Sequence, residues 1–303
     1  MKEEFHFKAV MADRILITGS NGFTGKYVTD VFRQSGYSVT GLVRHTPGKD
    51  EIACDLMDAR CVREVIRTVQ PDGIIHLAAL AFVKEDSPVS YYGVNIFGAL
   101  HLLESLNLEG ISPVKVIIAG SANVYGNPGE DAVDETHAPE PVNHYAVSKL
   151  AMEFMVKTWF TKMPILITRP FNYTGPGQDT RFLVPKIVDH FKRKVGIIEL
   201  GNLNIIREFS DVRDVANIYL KLFESPAHSD VVNICSGKVY QLNDLLEMMG
   251  TIAGYSISVK QNPLYMRDNE IMVLRGSREK LASMISYQPR YTLPETLQDM
   301  FYA

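Results

Sequence analysis

The chain predicts an α/β fold: a doubly wound parallel sheet with helices on both faces, followed by a smaller C-terminal α/β region. Three observations predict it. Short, continuously apolar runs alternate with helical patterns through roughly the first 170 residues. Those runs lack the period-two alternation of a half-solvated strand, so the strands are expected to be buried on both faces. The rhythm then weakens after Arg169, at the proline- and glycine-rich stretch RPFNYTGPGQ (169–178).

RILIT (14–18) is a β-branched run and the first expected strand, and residues 23–34 read as a helix. Residues 37–43 form the second strand, with Gly36 as the stop before it. Residues 59–69 are helical, and GIIHL (73–77) is the third strand. A long helix over 90–106 is entered through SPVS, and VKVIIA (114–119) is the fourth strand. A second long helix spans 142–160 and PILIT (164–168) is the fifth strand. Beyond these, 242–253 reads as a helix among shorter elements. Crossovers between parallel strands are expected to be right-handed.

Composition narrows the function classes. The 303 residues are 46% hydrophobic and 22% charged, ordinary for a soluble globular protein. A net charge of -4 gives no basic face for nucleic acid, and no apolar run approaches a membrane span. Cys54, Cys61 and Cys235 match no zinc or redox spacing and read as reduced thiols of a cytoplasmic protein. The histidines, His76 and His101 among them, follow no metal spacing, so no metal is expected. His76 reads as a strand-end residue and His101 as a helix residue. Residues 1–10 mix acids, bases and single apolar residues, which suits a flexible extension and not a signal peptide.

ITGSNGFTG joins the first strand to the first helix, with Gly19, Gly22 and Gly25 three apart. Such a turn lets backbone N–H groups and a helix N-terminus face a pyrophosphate, the Rossmann-like device for a dinucleotide. Gly19 suits the tight turn, Gly22 the close approach, and Gly25 the helix–strand packing. Ser20 stands where the usual G-x-G-x-x-G fingerprint has its second glycine. The second strand ends at Val43-Arg44, about 20 residues beyond the glycines, where an acid would hold the ribose of NAD. A guanidinium pairs instead with a 2′-phosphate, so NADP(H) is favoured, with NAD(H) possible. Asp55 and Leu56 fall where the chain can contact an adenine.

YAVSK places Tyr145 and Lys149 four apart, on one helix face. An ammonium beside a phenol is expected to lower the tyrosine pKa towards neutrality and suit it to proton transfer. Ser121, after the fourth strand, is expected at the carboxyl edge of the sheet, where its hydroxyl can hold a reacting oxygen.

TGSNGFTG, HLAA (76–79), VNIFG (94–98), SANVYG, YAVSK, RPFNYTGPG and REFSDVRDVA (207–216) appear in that order. Together they resemble the extended short-chain dehydrogenase/reductases of the nucleotide-sugar branch. The resemblance implies a catalytic Ser121, Tyr145 and Lys149, with Lys149 also on the nicotinamide ribose. It places Gly19, Asn21, Gly22, Phe23, Thr24, Gly25, Arg44, Asp55, Leu56, Leu77, Ala78 and Ala79 on the dinucleotide. Asn95 would brace the helix near the lysine, and Asn172 and Arg207 would face the nucleotide sugar. The tail, NPLYMRDNEIMVLRGSREKL (262–281), resembles the GDP-4-keto-6-deoxy-D-mannose reductases, which make GDP-D-rhamnose. There Arg267 and Arg275 suit a diphosphate, although surface ion pairing explains them too.

The implied division is a dinucleotide-binding domain over 1–170 with a return segment 203–236. A nucleotide-sugar domain takes 171–202 and 237–303. The implied reaction is NAD(P)H-dependent reduction of a sugar C4 ketone. A 4-epimerase with tightly bound NAD and a non-catalytic dinucleotide sensor are the rivals. A 4,6-dehydratase would need carboxyl groups directly after the serine, where this chain has Ala122 and Asn123. The implied partner is a nucleotide sugar, with a GDP-linked one favoured. The long helices, with Met152, Phe154 and Met155, suggest a homodimer contact, although core packing explains the same residues.

Overall fold

The computed structural model describes residues 13–80, 88–129, 131–266 and 269–303. The extension over 1–10 and Arg267 therefore lie outside the described residues.

The first half alternates strands and helices: β1 (Arg14–Thr18), α1 (Phe23–Gln34), β2 (Ser38–Val43), β3 (Glu51–Ala53), α2 (Ala59–Val69) and β4 (Gly73–His76). It continues with α3 (Pro88–Tyr92), α4 (Gly98–Leu108), β5 (Lys115–Ala119), α5 (His144–Lys157) and β6 (Ile165–Pro170). Then come β7 (Tyr173–Thr174), α6 (Leu183–Lys192), β8 (Ile197–Leu200), β9 (Ile206–Glu208), β10 (Ser210–Asp211), α7 (Val212–Glu224) and β11 (Asp230–Ile234). The chain ends with β12 (Val239–Gln241), α8 (Leu242–Ala253), β13 (Ser258–Gln261), β14 (Val273–Leu274), α9 (Glu279–Met284) and α10 (Leu293–Tyr302).

Among the described residues, seven parallel strands form one sheet in the order β11-β6-β5-β4-β1-β2-β3. The order reverses between β1 and β4, which opens a crevice at their carboxyl ends. The continuous apolar runs follow from the packing. Leu16, Ile74, Val116 and Ile118 face a core shared with Leu102, Leu106, Met152 and Val156. Ile15, Ile17, Ile75 and Ile117 face the opposite core with Phe32, Tyr219 and Phe223. Neither face can be polar when both are covered.

The remaining strands pair in small groups. β9 lies between β12 and β14, β8 pairs with β13, and β7 with β10. α6, α8 and α10 close a separate core around Ile187, Phe191, Leu245, Met249 and Leu297. From the expected return segment, α7 packs on α1 and β11 joins the central sheet beside β6, while β9 joins the small three-stranded sheet.

Several local expectations need correcting. The second strand starts at Ser38, because the Tyr37 ring packs on Phe32 and Phe223. The short edge strand β3 carries no sequence signal strong enough to read. The helix expected over 90–106 begins at Pro88 and passes through a wider five-residue turn, Gly93–Phe97, before α4. The helix expected over 142–160 is α5, capped by the Asn143 carboxamide, which accepts from the Ala146 N–H at 2.9 Å. Met152 is core, 1% exposed, whereas Phe154 on the same helix is 60% exposed, so the three residues do not form one outward face. Cys54 after β3 and Cys61 in the first turn of α2 face each other, their Cα atoms 5.9 Å apart, while Cys235 is free and buried.

Candidate active site

The glycine turn leaves β1 at Thr18. Gly19 has φ +71°, the left-handed region that favours glycine, and its N–H donates to the Leu42 carbonyl at 2.7 Å. A Cβ on Gly19 would stand 3.0 Å from the Ala78 Cα, and one on Gly25 would stand 2.0 Å from the Gly19 oxygen. Gly22 is the N-cap of α1 and has no side chain to cap the first turn. Asn21 is exposed beside it, and Phe23 and Thr24 are half-buried. A side-chain-free helix N-terminus at the sheet's carboxyl edge suits an anionic diphosphate. Ser20 does not enter this turn. It is buried and donates to Glu51 Oε1 at 2.6 Å. The space exists because Gly41 lacks a Cβ, which would come within 2.3 Å of the Ser20 oxygen.

Around the turn, Leu77 N–H donates to the Thr18 carbonyl at 3.3 Å and Ala78 N–H to the Thr18 hydroxyl at 3.1 Å. This packs residues 77–79 against the glycines. Arg44 follows β2 and is 64% exposed, and its Nε lies 3.3 Å from the Asp55 carboxylate. Leu56 is buried under Gly98, and its carbonyl meets His101 Nδ1 at 2.8 Å. Asn95, in the wider helical turn, is 2% exposed. It accepts from Leu80 N–H at 3.0 Å and donates to the Ser148 hydroxyl on α5 at 2.9 Å.

Ser121 follows β5 and caps a short 3-10 turn, Ala122–Tyr125, by accepting from the Asn123 N–H at 3.2 Å. Tyr145, in the first turn of α5, hydrogen-bonds to Ser121, and its ring meets Tyr91 edge-on at 6.3 Å. Lys149 is 3% exposed one turn on, and its ammonium donates to the Ala119 carbonyl at 2.7 Å. The expected lowering of the tyrosine pKa is not found. Burial pushes the phenol up to about 12, opposed by the Ser121 hydrogen bond. The ammonium is held on a backbone carbonyl and contributes nothing to that shift. Lys149 is itself lowered by burial to about 8, while the Glu153 carboxylate opposes the fall.

Beneath the triad lies a closed ionic group. Arg169 forks onto Glu153, with contacts at 3.0 and 2.6 Å, and donates to the Tyr125 hydroxyl at 2.9 Å. A Cβ on Gly120 would meet the Glu153 carboxylate at 2.7 Å, so the charged pair sits directly under the Ser121 turn. His76 ends β4, buried, with Nδ1 2.8 Å from the Thr18 hydroxyl. Burial, then the nearby Lys149 charge, lowers its pKa to about 3, so it is neutral at ordinary pH.

Of the residues expected to face the sugar, Asn172 accepts from Ser210 N–H at 3.0 Å through its backbone carbonyl. Arg207 donates to the carbonyls of Ile206 at 2.9 Å and Met272 at 3.1 Å, and to that of Ile271. Its guanidinium is thus bound to the strand beside it. Arg275 is exposed. Glu208, 1% exposed, accepts from the N–H groups of Ser236 at 2.7 Å and Gly237 at 3.1 Å, and from that of Gly276. Sequence reasoning missed Glu208, His76 as a partner of Thr18, and Tyr173, whose hydroxyl lies 2.8 Å from that of Thr24. Only the position of Tyr173 inside a glycine- and proline-rich loop gave any signal.

A glycine turn at the point where strand order reverses, facing a serine and a Tyr-x-x-x-Lys helix across the same edge, defines a class. This is an extended short-chain dehydrogenase/reductase, an oxidoreductase of a nucleotide-sugar family. Comparison with known proteins narrows the class. The chain belongs to the family described as GDP-mannose 4,6 dehydratase, whose model matches residues 16–300. It is 33% identical to a GDP-6-deoxy-D-talose 4-dehydrogenase of Aggregatibacter actinomycetemcomitans, over 95% of this chain and 97% of that one. It is 32% identical to a GDP-6-deoxy-D-mannose reductase of Pseudomonas aeruginosa, over 95% and 96%. Among solved structures, a putative epimerase from Burkholderia cenocepacia superposes with a TM-score of 0.90 at 42% identity, covering 96% and 97%. RMD from Pseudomonas aeruginosa complexed with NADPH superposes at 0.84 with 28% identity, covering 96% and 98%.

Proposed function

We propose that this protein reduces the C4 ketone of a nucleotide-linked 4-keto-6-deoxy sugar, with GDP-4-keto-6-deoxy-D-mannose to GDP-D-rhamnose as the favoured reaction. The observation that carries the reading is the meeting of Ser121, Tyr145 and Lys149 beside the uncapped glycine turn. The turn from Gly19 to Gly25 would hold a dinucleotide diphosphate, with Asn21, Phe23 and Thr24 beside it. Asp55 and Leu56 would meet the adenine, residues 77–79 would line the middle, and Asn95 would hold α5 in place. Arg44 supports NADP(H) over NAD(H), although it must leave Asp55 to meet a 2′-phosphate. When bound, the reduced nicotinamide supplies a hydride.

The protein's own residues do the rest. Tyr145, kept protonated by burial, donates its proton to the developing alkoxide, while the Ser121 hydroxyl donates a hydrogen bond to the same oxygen. Lys149 holds positive charge below pH about 8 and, one turn along α5 from Tyr145, would hold the nicotinamide ribose. Asn172, Arg207 and Arg267 would face the nucleotide sugar. Ala122 and Asn123 carry no carboxyl group, so elimination of water lacks its acid and base.

A second reading has specific support. The talose-named relative is as similar as the mannose-named one, and the two products differ in configuration at C4. The deciding experiment offers GDP-, dTDP- and UDP-linked 4-keto-6-deoxy sugars with NADPH and NADH in parallel, and assigns the product at C4. GDP-D-rhamnose formation with NADPH preferred is the expected result. GDP-6-deoxy-D-talose would move the assignment to the second reading, and no nucleotide consumption with any sugar would overturn both. A homodimer is proposed through α4 and α5, whose exposed Leu108, Val147 and Phe154, with Phe97 just before α4, suit a helix-on-helix contact.

A further inference from the structure

We infer that Tyr173 is a positioning residue for the dinucleotide, bracing the first turn of α1 beside the glycine turn through its hydroxyl. The inference rests on the reading that this turn holds a dinucleotide. Tyr173 does not belong to the central sheet. It lies on β7, paired with Ser210 of β10. From there its hydroxyl reaches the Thr24 hydroxyl at 2.8 Å. Its ring stacks on Phe23, with centroids 6.2 Å apart and planes within 10° of parallel. Phe23 and Thr24 open α1, directly after the N-cap Gly22.

Two contacts hold the loop against the same helix. The Tyr27 hydroxyl donates to the Pro176 carbonyl at 2.8 Å. Gly175 packs so tightly that a Cβ there would stand 2.6 Å from Val212 Cγ1 and 3.8 Å from the Phe23 ring.

The chemistry of the hydroxyl pair gives it a use. Two hydroxyls bonded to each other share one hydrogen, which leaves one O–H able to donate elsewhere. Next to the first turn of α1, that remaining proton suits an oxygen of the diphosphate. The pair also fixes the Thr24 rotamer, so the donor is oriented before the ligand arrives.

The test is NADPH affinity of the purified full chain, by fluorescence quenching or calorimetry, for wild type, Tyr173→Phe, Thr24→Val and the double variant. Each single change is expected to weaken binding about fivefold to tenfold. The double variant should be no weaker than the worse single one, because both remove the same hydroxyl pair. The KM for NADPH should rise by the same factor as Kd, and by more than kcat falls. Thr24→Ser should recover most of the affinity lost in Thr24→Val, which separates the hydroxyl's role from packing. Unchanged affinity in Tyr173→Phe, or losses that multiply in the double variant, would overturn the inference alone. Failure of the wild type to bind either NADPH or NADH would overturn the dinucleotide reading with it.

Discussion

On the dinucleotide side, the candidate residues stand at the ends of β1, β4 and β5 and on α5, all anchored in two dry cores. On the sugar side they hang from two- and three-residue strands, β7, β9 and β14, joined by loops from distant parts of the chain. The two sides also treat charge differently. His76, at the sheet edge, is held neutral by burial, while Glu208, under the sugar side, is raised by burial although backbone N–H groups stabilise its anion. Lys149 rests on a strand-end carbonyl of the large sheet. Arg207, on the small sheet, is bound by carbonyls of the segment that leads into β14. The difference teaches that the first side's central groups are fixed by the large sheet, whereas Arg207 on the second would have to give up backbone carbonyls to meet a substrate.

The sharpest way to break the comparison is at the centre. Tyr145→Phe should lower turnover about a thousandfold while NADPH affinity stays within about twofold, since the hydroxyl serves proton transfer and the turn serves binding. Turnover near wild type would remove the tyrosine from its role.

A smaller effect separates the two sides by pH. His76 binds a proton at about 3 when folded and near 6.5 when unfolded, so the unfolded chain takes up more protons between these values. Stability is therefore complete above pH 6.5 and falls with pH, by about 2 kcal/mol at pH 5 from this group. Glu208 has the opposite sign. Its raised pKa gives stability that is present below the ordinary carboxylate range and lost as pH rises through the folded value. Denaturant melts from pH 7 to 4 should show a flatter acid limb for His76→Gln and a steeper one for Glu208→Gln than for wild type. Equal slopes in all three would mean that water reaches both sites.

The smallest effect tests the exchange of partners. Arg207→Ala should raise the KM for the sugar nucleotide about tenfold and leave NADPH affinity unchanged, as expected for one lost charged contact. A variant that loses stability with no change in sugar KM would make Arg207 purely a clip for β14.

Much of the first side was legible because its signals are local. Gly19, Gly22 and Gly25 are three apart in one turn, and Tyr145 and Lys149 share a helix face by spacing alone. The long apolar strands were legible because burial on both faces leaves no polar position. β3 was not, with three residues and only partial burial. The wider helical turn at Gly93–Phe97 was not, because its cause is tertiary: it brings Asn95 to Ser148 on another helix. Ser20 looked like a flaw in the glycine pattern until its partner, Glu51, was found 31 residues away. The lowered phenol was argued from the spacing of Tyr145 and Lys149, which cannot say where an ammonium points or how deep a ring lies.

The sequence by itself determined the alternating α/β order, the phosphate turn, the residue types of the triad and the absence of carboxyl groups after Ser121. Each follows from local conformation or from residue chemistry, which proximity in the chain already sets. Only the tertiary structure decided the charge state of Tyr145, the approach of Cys54 to Cys61, the engagement of Arg207 and the reach of Tyr173 to Thr24. Those depend on burial and on contacts between residues far apart in sequence, and burial is a property of the packed whole.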